Sequence, residues 1–181
     1  MKGMVFNSLN ELVEEHHGIG AWNRAIDKID SVVDGAYVSA DNYPAEEMQA
    51  LVMALTEELG APAEVLLDTF GQKLFFDLYR AYPSLVDCHT ELIPFIASVG
   101  TVIHEEMKIQ YADAEVPTIT HEPYDSRTLV FYYDSPRKLC LLAEGLVRGA
   151  AQHFDTAIKL EHPACMHRGA ARCELHLTLV D

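Results

Sequence analysis

The hydrophobic period of this chain changes once, after Tyr111, and that change restricts the folds open to it. Before it, apolar residues recur at steps of three and four, the spacing of helices with one buried face. After it, Val116–Tyr124 and Thr128–Asp134 are rich in threonine, tyrosine and β-branched residues, with Tyr124, Asp125 and Ser126 as turn material between them. That composition predicts a β-hairpin. Arg137–Phe154 returns to helical spacing, and Thr156–Glu161 and Cys173–Val180 read as two more strands. Leu175, Leu177 and Leu179 alternate with His176 and Thr178, so one face of the last strand is buried. Helices, hairpin, helix, hairpin is the order of an α+β fold: a helical N-terminal lobe, then a four-stranded antiparallel sheet with a helix packed on it. No repeat, low-complexity tract or linker divides the chain, so residues 1–181 read as a single domain.

The helical part has its own punctuation. Met1–Glu15 ends at His17-Gly18, and Ala21–Val33 forms a second short pattern that stops at Asp34-Gly35. Pro44 opens a third helix with Glu46 and Glu47 at its positive end, and Gly60 closes it after Leu59. Pro62–Tyr82 is a fourth, strongly apolar helix ended by Pro83. Glu91–Gln110 is the fifth.

That fifth stretch carries one histidine in an apolar pattern. His104 lies at the edge of a face made by Leu92, Phe95, Ile96, Val99, Val102, Ile103 and Met107. Gly100 and Ala97 stand four and seven residues before it, and side chains lean toward the helix N-terminus. His104 is therefore expected to project over nearly bare backbone, where a flat ligand can come close. A half-buried histidine with no ligand is the other reading of the same pattern.

Tyr133-Asp134-Ser135-Pro136-Arg137 sits where a strand meets a helix. Alternate strand residues face one side, so Tyr133 and Ser135 can point together, and Arg137 adds a planar fork suited to carboxylates. Two hydroxyls and a guanidinium would receive a pair of carboxylates; a surface Arg–Asp pair is the alternative. Farther on, Cys140, His162, Cys165 and Cys173 supply three thiols and an imidazole, a set that suits tetrahedral zinc or consists of ordinary small residues. Cys88 stands outside that set.

Charge excludes some partners. At −15 net, with 13 basic against 28 acidic residues, the chain is not built for nucleic acid or anionic lipid. It can instead meet a positively charged protein surface. The N-terminus turns polar and acidic within a dozen residues, unlike a signal peptide, and no apolar run is long enough to span a bilayer. The expected location is cytoplasmic, where cysteines stay as free thiols or bind metal.

The opening Met-Lys-Gly, the helical His104, Pro117 thirteen residues on and Tyr133-x-Ser135-x-Arg137 together resemble the H-NOX family, the haem nitric oxide/oxygen-binding domains related to the sensor region of soluble guanylate cyclase. The resemblance covers essentially the whole chain. It implies haem b held between the two lobes, His104 as proximal ligand to iron, Tyr133, Ser135 and Arg137 on the propionates, and Pro117 bending the porphyrin. Relatives that hold O₂ carry a distal tyrosine supported by a tryptophan and an asparagine; the corresponding positions here are Leu142, Leu9 and Leu74, all apolar. The resemblance therefore implies a nitric oxide sensor and not an enzyme, in which NO weakens the Fe–His104 bond. With no output domain expected after Asp181, regulation of a separate histidine kinase or cyclic-di-GMP enzyme follows. Some similar proteins carry zinc on ligands of the type of Cys140, His162, Cys165 and Cys173, with a possible second input through thiol oxidation. The competing readings are an O₂-binding sensor, a haem peroxidase, and a zinc-stabilised adaptor without haem.

Overall fold

A computed structural model of the chain describes residues 1–111 and 115–180. Helices α1 (Gly3–His17), α2 (Ile19–Ile26), α3 (Ala45–Leu59), α4 (Ala63–Ala81) and the one-turn α5 (Ser84–Asp87) form the N-terminal part. Helix α6 (Leu92–Ser98) continues through a π-helical segment, Val99–Ile103, into α7 (His104–Gln110). Strands β1 (Thr118–His121) and β2 (Thr128–Asp134) precede α8 (Cys140–His153), and β3 (Ile158–Ala164) and β4 (Cys173–Leu179) close the chain. The fold is α+β, as the change of period requires.

The four strands make one antiparallel sheet in the order β1-β2-β4-β3. Each hairpin pairs internally, and β2 joins them through β4, with Phe131 opposite Leu175 and Tyr133 opposite Cys173. The predicted alternation in β4 is real: Cys173, Leu175 and Leu177 are fully buried while the residues between them are half-exposed.

Three departures from the sequence reading have local causes. The second helix stops at Ile26 and does not reach Val33. Lys28 and Ile29 donate backwards to Ala25 and Ile26 in a tightened turn, and the Ser31 hydroxyl accepts from the Val33 and Gly35 N–H groups. A hydroxyl that satisfies backbone donors in this way competes with the helix. The fifth helix is not uniform either, because five residues of π geometry interrupt it just before His104. The third departure is smaller: the helix expected from Arg137 begins at Cys140, after a turn in which Lys138 takes a positive φ of 51°.

Burial falls into two apolar clusters. One gathers α1, α2, α3, most of α4 and Leu142 of α8. The other gathers Phe75, α6, the inner face of the sheet and the rest of α8. Helices α4 and α8 belong to both, and they meet backbone to backbone. A Cβ on Gly71 would stand 2.5 Å from the Leu142 carbonyl oxygen, and one on Gly145 would stand 2.4 Å from that of Asp68. Only glycine permits that approach.

Candidate functional site

His104 starts α7 directly after the π segment, and π turns inside helices recur at functional sites. The imidazole is half-buried, its Nδ1 is enclosed with no hydrogen-bond partner, and the Pro117 backbone lies beside the ring. Burial lowers its pKa below the usual histidine value, outweighing the Pro117 contact, which acts the other way. The ring is thereby held neutral, the form in which a histidine nitrogen ligates a metal. Gly100 has a different use from the one its spacing suggested. A Cβ there would lie 2.0 Å from the Ile119 carbonyl oxygen, so the close approach is made by strand β1.

Tyr133 and Ser135 are both buried and Asp134 between them is exposed, the alternation expected of a strand. The Tyr133 hydroxyl accepts from the Leu139 N–H at 3.1 Å, and burial raises its pKa. The Ser135 hydroxyl accepts from the Arg137 N–H at 3.3 Å, and Arg137 Nη2 donates to the Glu115 carbonyl at 2.6 Å. The positive charge of Arg137 acts on both Tyr133 and His104, favouring the deprotonated form of each. The motif and the histidine, distant in sequence, thus share one electrostatic environment. Two hydroxyls, one guanidinium and an unpartnered neutral imidazole fit what haem presents: two carboxylates and an iron with an axial position.

Leu9, Leu74 and Leu142 all belong to the N-terminal cluster, each at most 6% exposed. They arrive from α1, α4 and α8, and the Gly71–Gly145 contact brings the last two helices into register. Two polar side chains on β2 and α8 that could serve as donors are engaged elsewhere. The Tyr132 hydroxyl donates to Glu122 at 2.5 Å, and the His153 ring packs against Tyr79 and Phe75.

The second constellation is compact. The ligand atoms of Cys140, His162, Cys165 and Cys173 all lie within 4.8 Å of one another. The Cys140 and Cys165 sulfurs are 3.8 Å apart; two thiolates on one tetrahedral zinc, each at about 2.3 Å, would be separated by about 3.8 Å. Burial pushes the Cys140 thiol up, and that of Cys173 likewise. The Met166 N–H points at the Cys173 sulfur at 3.3 Å, and His162 Nε2 is buried without a partner. A cation accepts what these groups offer. His167 is excluded from the set because its Nε2 contacts the Lys138 carbonyl at 2.7 Å, and Cys88 is exposed and remote.

Sequence reasoning missed Glu144, whose Oε1 is 2.8 Å from His162 Nδ1, and Arg148, which pairs with Glu144 and with Asp68 of α4. A signal was present: Glu144 stands one helical turn beyond Cys140, on the same face of α8.

The sequence profile of the haem-NO-binding family, HNOB, matches residues 2–162. Among solved structures, an H-NOX protein from S. oneidensis in its Fe(II)NO state superposes with a TM-score of 0.93 at 34% identity, over 100% of both chains. The unliganded Fe(II) H-NOX protein from K. algicida gives 0.94 at 25% identity, over 100% of this chain and 97% of its own. A T. Tengcongensis H-NOX mutant at 16% identity shares the fold, with a TM-score of 0.86 over 100% of this chain and 98% of its own. No protein of curated function matches. Fold and site define a haem-pocket sensor domain of two lobes. The chain belongs to the H-NOX family, whose members bind haem and serve as gas sensors.

Proposed function

We propose that this protein is a haem-based sensor selective for nitric oxide over O₂, acting on a separate signalling enzyme and not itself catalytic. The observation that carries the selectivity is that Leu9, Leu74 and Leu142 are all apolar and buried in one cluster. Bound O₂ draws negative charge and depends on a nearby donor in a low-dielectric pocket. These positions offer none, and the same lack argues against a peroxidase. Ferrous haem, once bound, would supply an iron able to take NO.

The protein's own residues do the rest. His104 would hold the iron, Tyr133, Ser135 and Arg137 would hold the propionates, and Pro117 would press on the macrocycle. Release of His104 frees α7 to move relative to β1, which contacts the π segment through Gly100. Driving such a domain nearly completely from one state to the other takes about 5.5 kcal/mol of differential affinity. Loss of a metal bond and relief of macrocycle strain are the proposed sources.

The partner class, a histidine kinase or a cyclic-di-GMP enzyme, follows from the family resemblance, and the net charge of −15 favours a basic docking face on it. A cytoplasmic location is part of the same reading; among the described residues no helix is long and apolar enough to cross a membrane. The Cys140–His162–Cys165–Cys173 cluster is proposed to bind zinc, fastening α8 to the last hairpin and exposing thiolates to oxidation if the metal leaves.

The test is the absorption spectrum of the anaerobically reduced haem protein, then in air, then with NO. The reading expects no stable oxy spectrum in air and a clear shift with NO. A persistent oxy spectrum would make it an O₂ sensor instead.

A further inference from the structure

The thiol–imidazole cluster is held by more than its four ligands. His162 and Glu144 side chains are 13% and 12% exposed, and Glu144 Oε1 lies 2.8 Å from His162 Nδ1. A neutral imidazole carries one N–H, so donation from Nδ1 to this carboxylate leaves the lone pair on Nε2. Nε2 is the buried atom without a partner, and with Nδ1 engaged by Glu144 it is the nitrogen left to face the three sulfurs, which lie within 4.8 Å of the His162 ligand atom. The other Glu144 oxygen, Oε2, accepts from Arg148 Nη2 at 3.2 Å, and Arg148 Nη1 donates to Asp68 Oδ1 on α4 at 2.5 Å.

We propose that Glu144 is the positioning residue of the metal site: it fixes the His162 tautomer and aims Nε2 at the ion, while Arg148 and Asp68 brace it. The role rests on the zinc reading above and adds the group that sets one of its ligands. A plain Glu–His ion pair does not explain the geometry, because a doubly protonated ring would bury a second N–H facing no acceptor. Charge supports the brace. Three thiolates, an imidazole and a divalent ion sum to −1, and a nearby carboxylate deepens that excess unless a cation such as Arg148 offsets it. Helical spacing explains how one element does both jobs: Cys140 and Glu144 are four residues apart on α8, so ligand and orienter share a face.

The experiment uses the haem-loaded full chain, with zinc affinity measured by chelator competition and the ligand field read by cobalt(II) substitution. Glu144→Ala should weaken zinc binding by about 10–100-fold. It should shift the cobalt ligand-field bands and keep the sulfur charge-transfer bands, since the thiols remain. Glu144→Gln retains an oxygen that accepts from Nδ1, and should recover most of the affinity. Glu144→Ala with wild-type affinity and a wild-type cobalt spectrum would overturn the role while leaving the metal site standing. Wild-type protein that takes up neither zinc nor cobalt would overturn the metal reading and the role with it. Should Glu144→Ala not fold, Arg148→Gln decides: it must lower affinity by a smaller factor, and no change there contradicts the proposal.

Discussion

The two constellations of this protein are built in opposite ways. The Cys140–His162–Cys165–Cys173 cluster is local: three of its four members come from the β3–β4 hairpin and the fourth from α8, packed on the same sheet. Its ligand atoms already lie within 4.8 Å of one another, with the Cys140 and Cys165 sulfurs 3.8 Å apart. The proposed haem site is dispersed. It draws on α1, α4, α7, β2 and α8, and its polar groups include an orphaned imidazole nitrogen and hydroxyls engaged with nearby backbone. A local site is mainly a fastening, because its ligands move as one unit. A dispersed site is suited to sensing, because a change at its centre is felt by elements that belong to different clusters.

The largest effect that can test this contrast is at the joint between the clusters. Gly145→Leu forces a side chain into the 2.4 Å gap to the Asp68 carbonyl and should destabilise the fold by roughly 3 kcal/mol or more, read by denaturant unfolding. A tolerated leucine would mean that α4 and α8 are not held so closely. Next in size, Cys173→Ser should remove zinc binding and lower the melting temperature, yet leave the haem spectrum of the folded protein intact. Joint loss of both cofactors would show that the two sites are not independent.

A smaller and sharper change is Leu142→Tyr. A phenol at that position should give the reduced protein measurable O₂ binding in air, while NO binding persists. No gain of O₂ affinity would place the donor position elsewhere. The smallest effect is a pH dependence of opposite sign in the two metal states. Without metal, the buried thiols of Cys140 and Cys173 titrate higher in the folded chain than in the unfolded one. They therefore add stability below the ordinary thiol pKa and withdraw it as pH rises through their folded values. With zinc the thiolates must form, so affinity should fall as the solution is acidified and proton release should accompany loading. Melting curves of the two forms between neutral and alkaline pH should diverge; parallel curves would argue against thiolate ligation.

How much of this was readable beforehand follows the same division. The sheet, its buried face and the boundaries of α3 and α4 were legible, since period, proline and glycine are local signals. His104 and the Tyr133–Ser135–Arg137 motif were legible as a pattern, and Leu9, Leu74 and Leu142 belong to one buried cluster. The end of α2 was not, because a serine hydroxyl took the donors a helix would have used. The π segment and the use of Gly100 depend on β1, which no helical periodicity reports. Glu144 was visible only as one more acidic residue on a helix; its meaning comes from the ring across the gap.

The measurement closest to the central claim compares wild type with His104→Gly, both expressed with ample haem, by ferrous absorption and haem content. The account predicts a five-coordinate histidine-ligated spectrum in the wild type, and in the variant a loss of haem that added imidazole restores. Zinc content should be equal in the two. A variant with the wild-type ferrous spectrum and full haem content, without imidazole, would contradict His104 as the iron ligand and the sensing mechanism built on it.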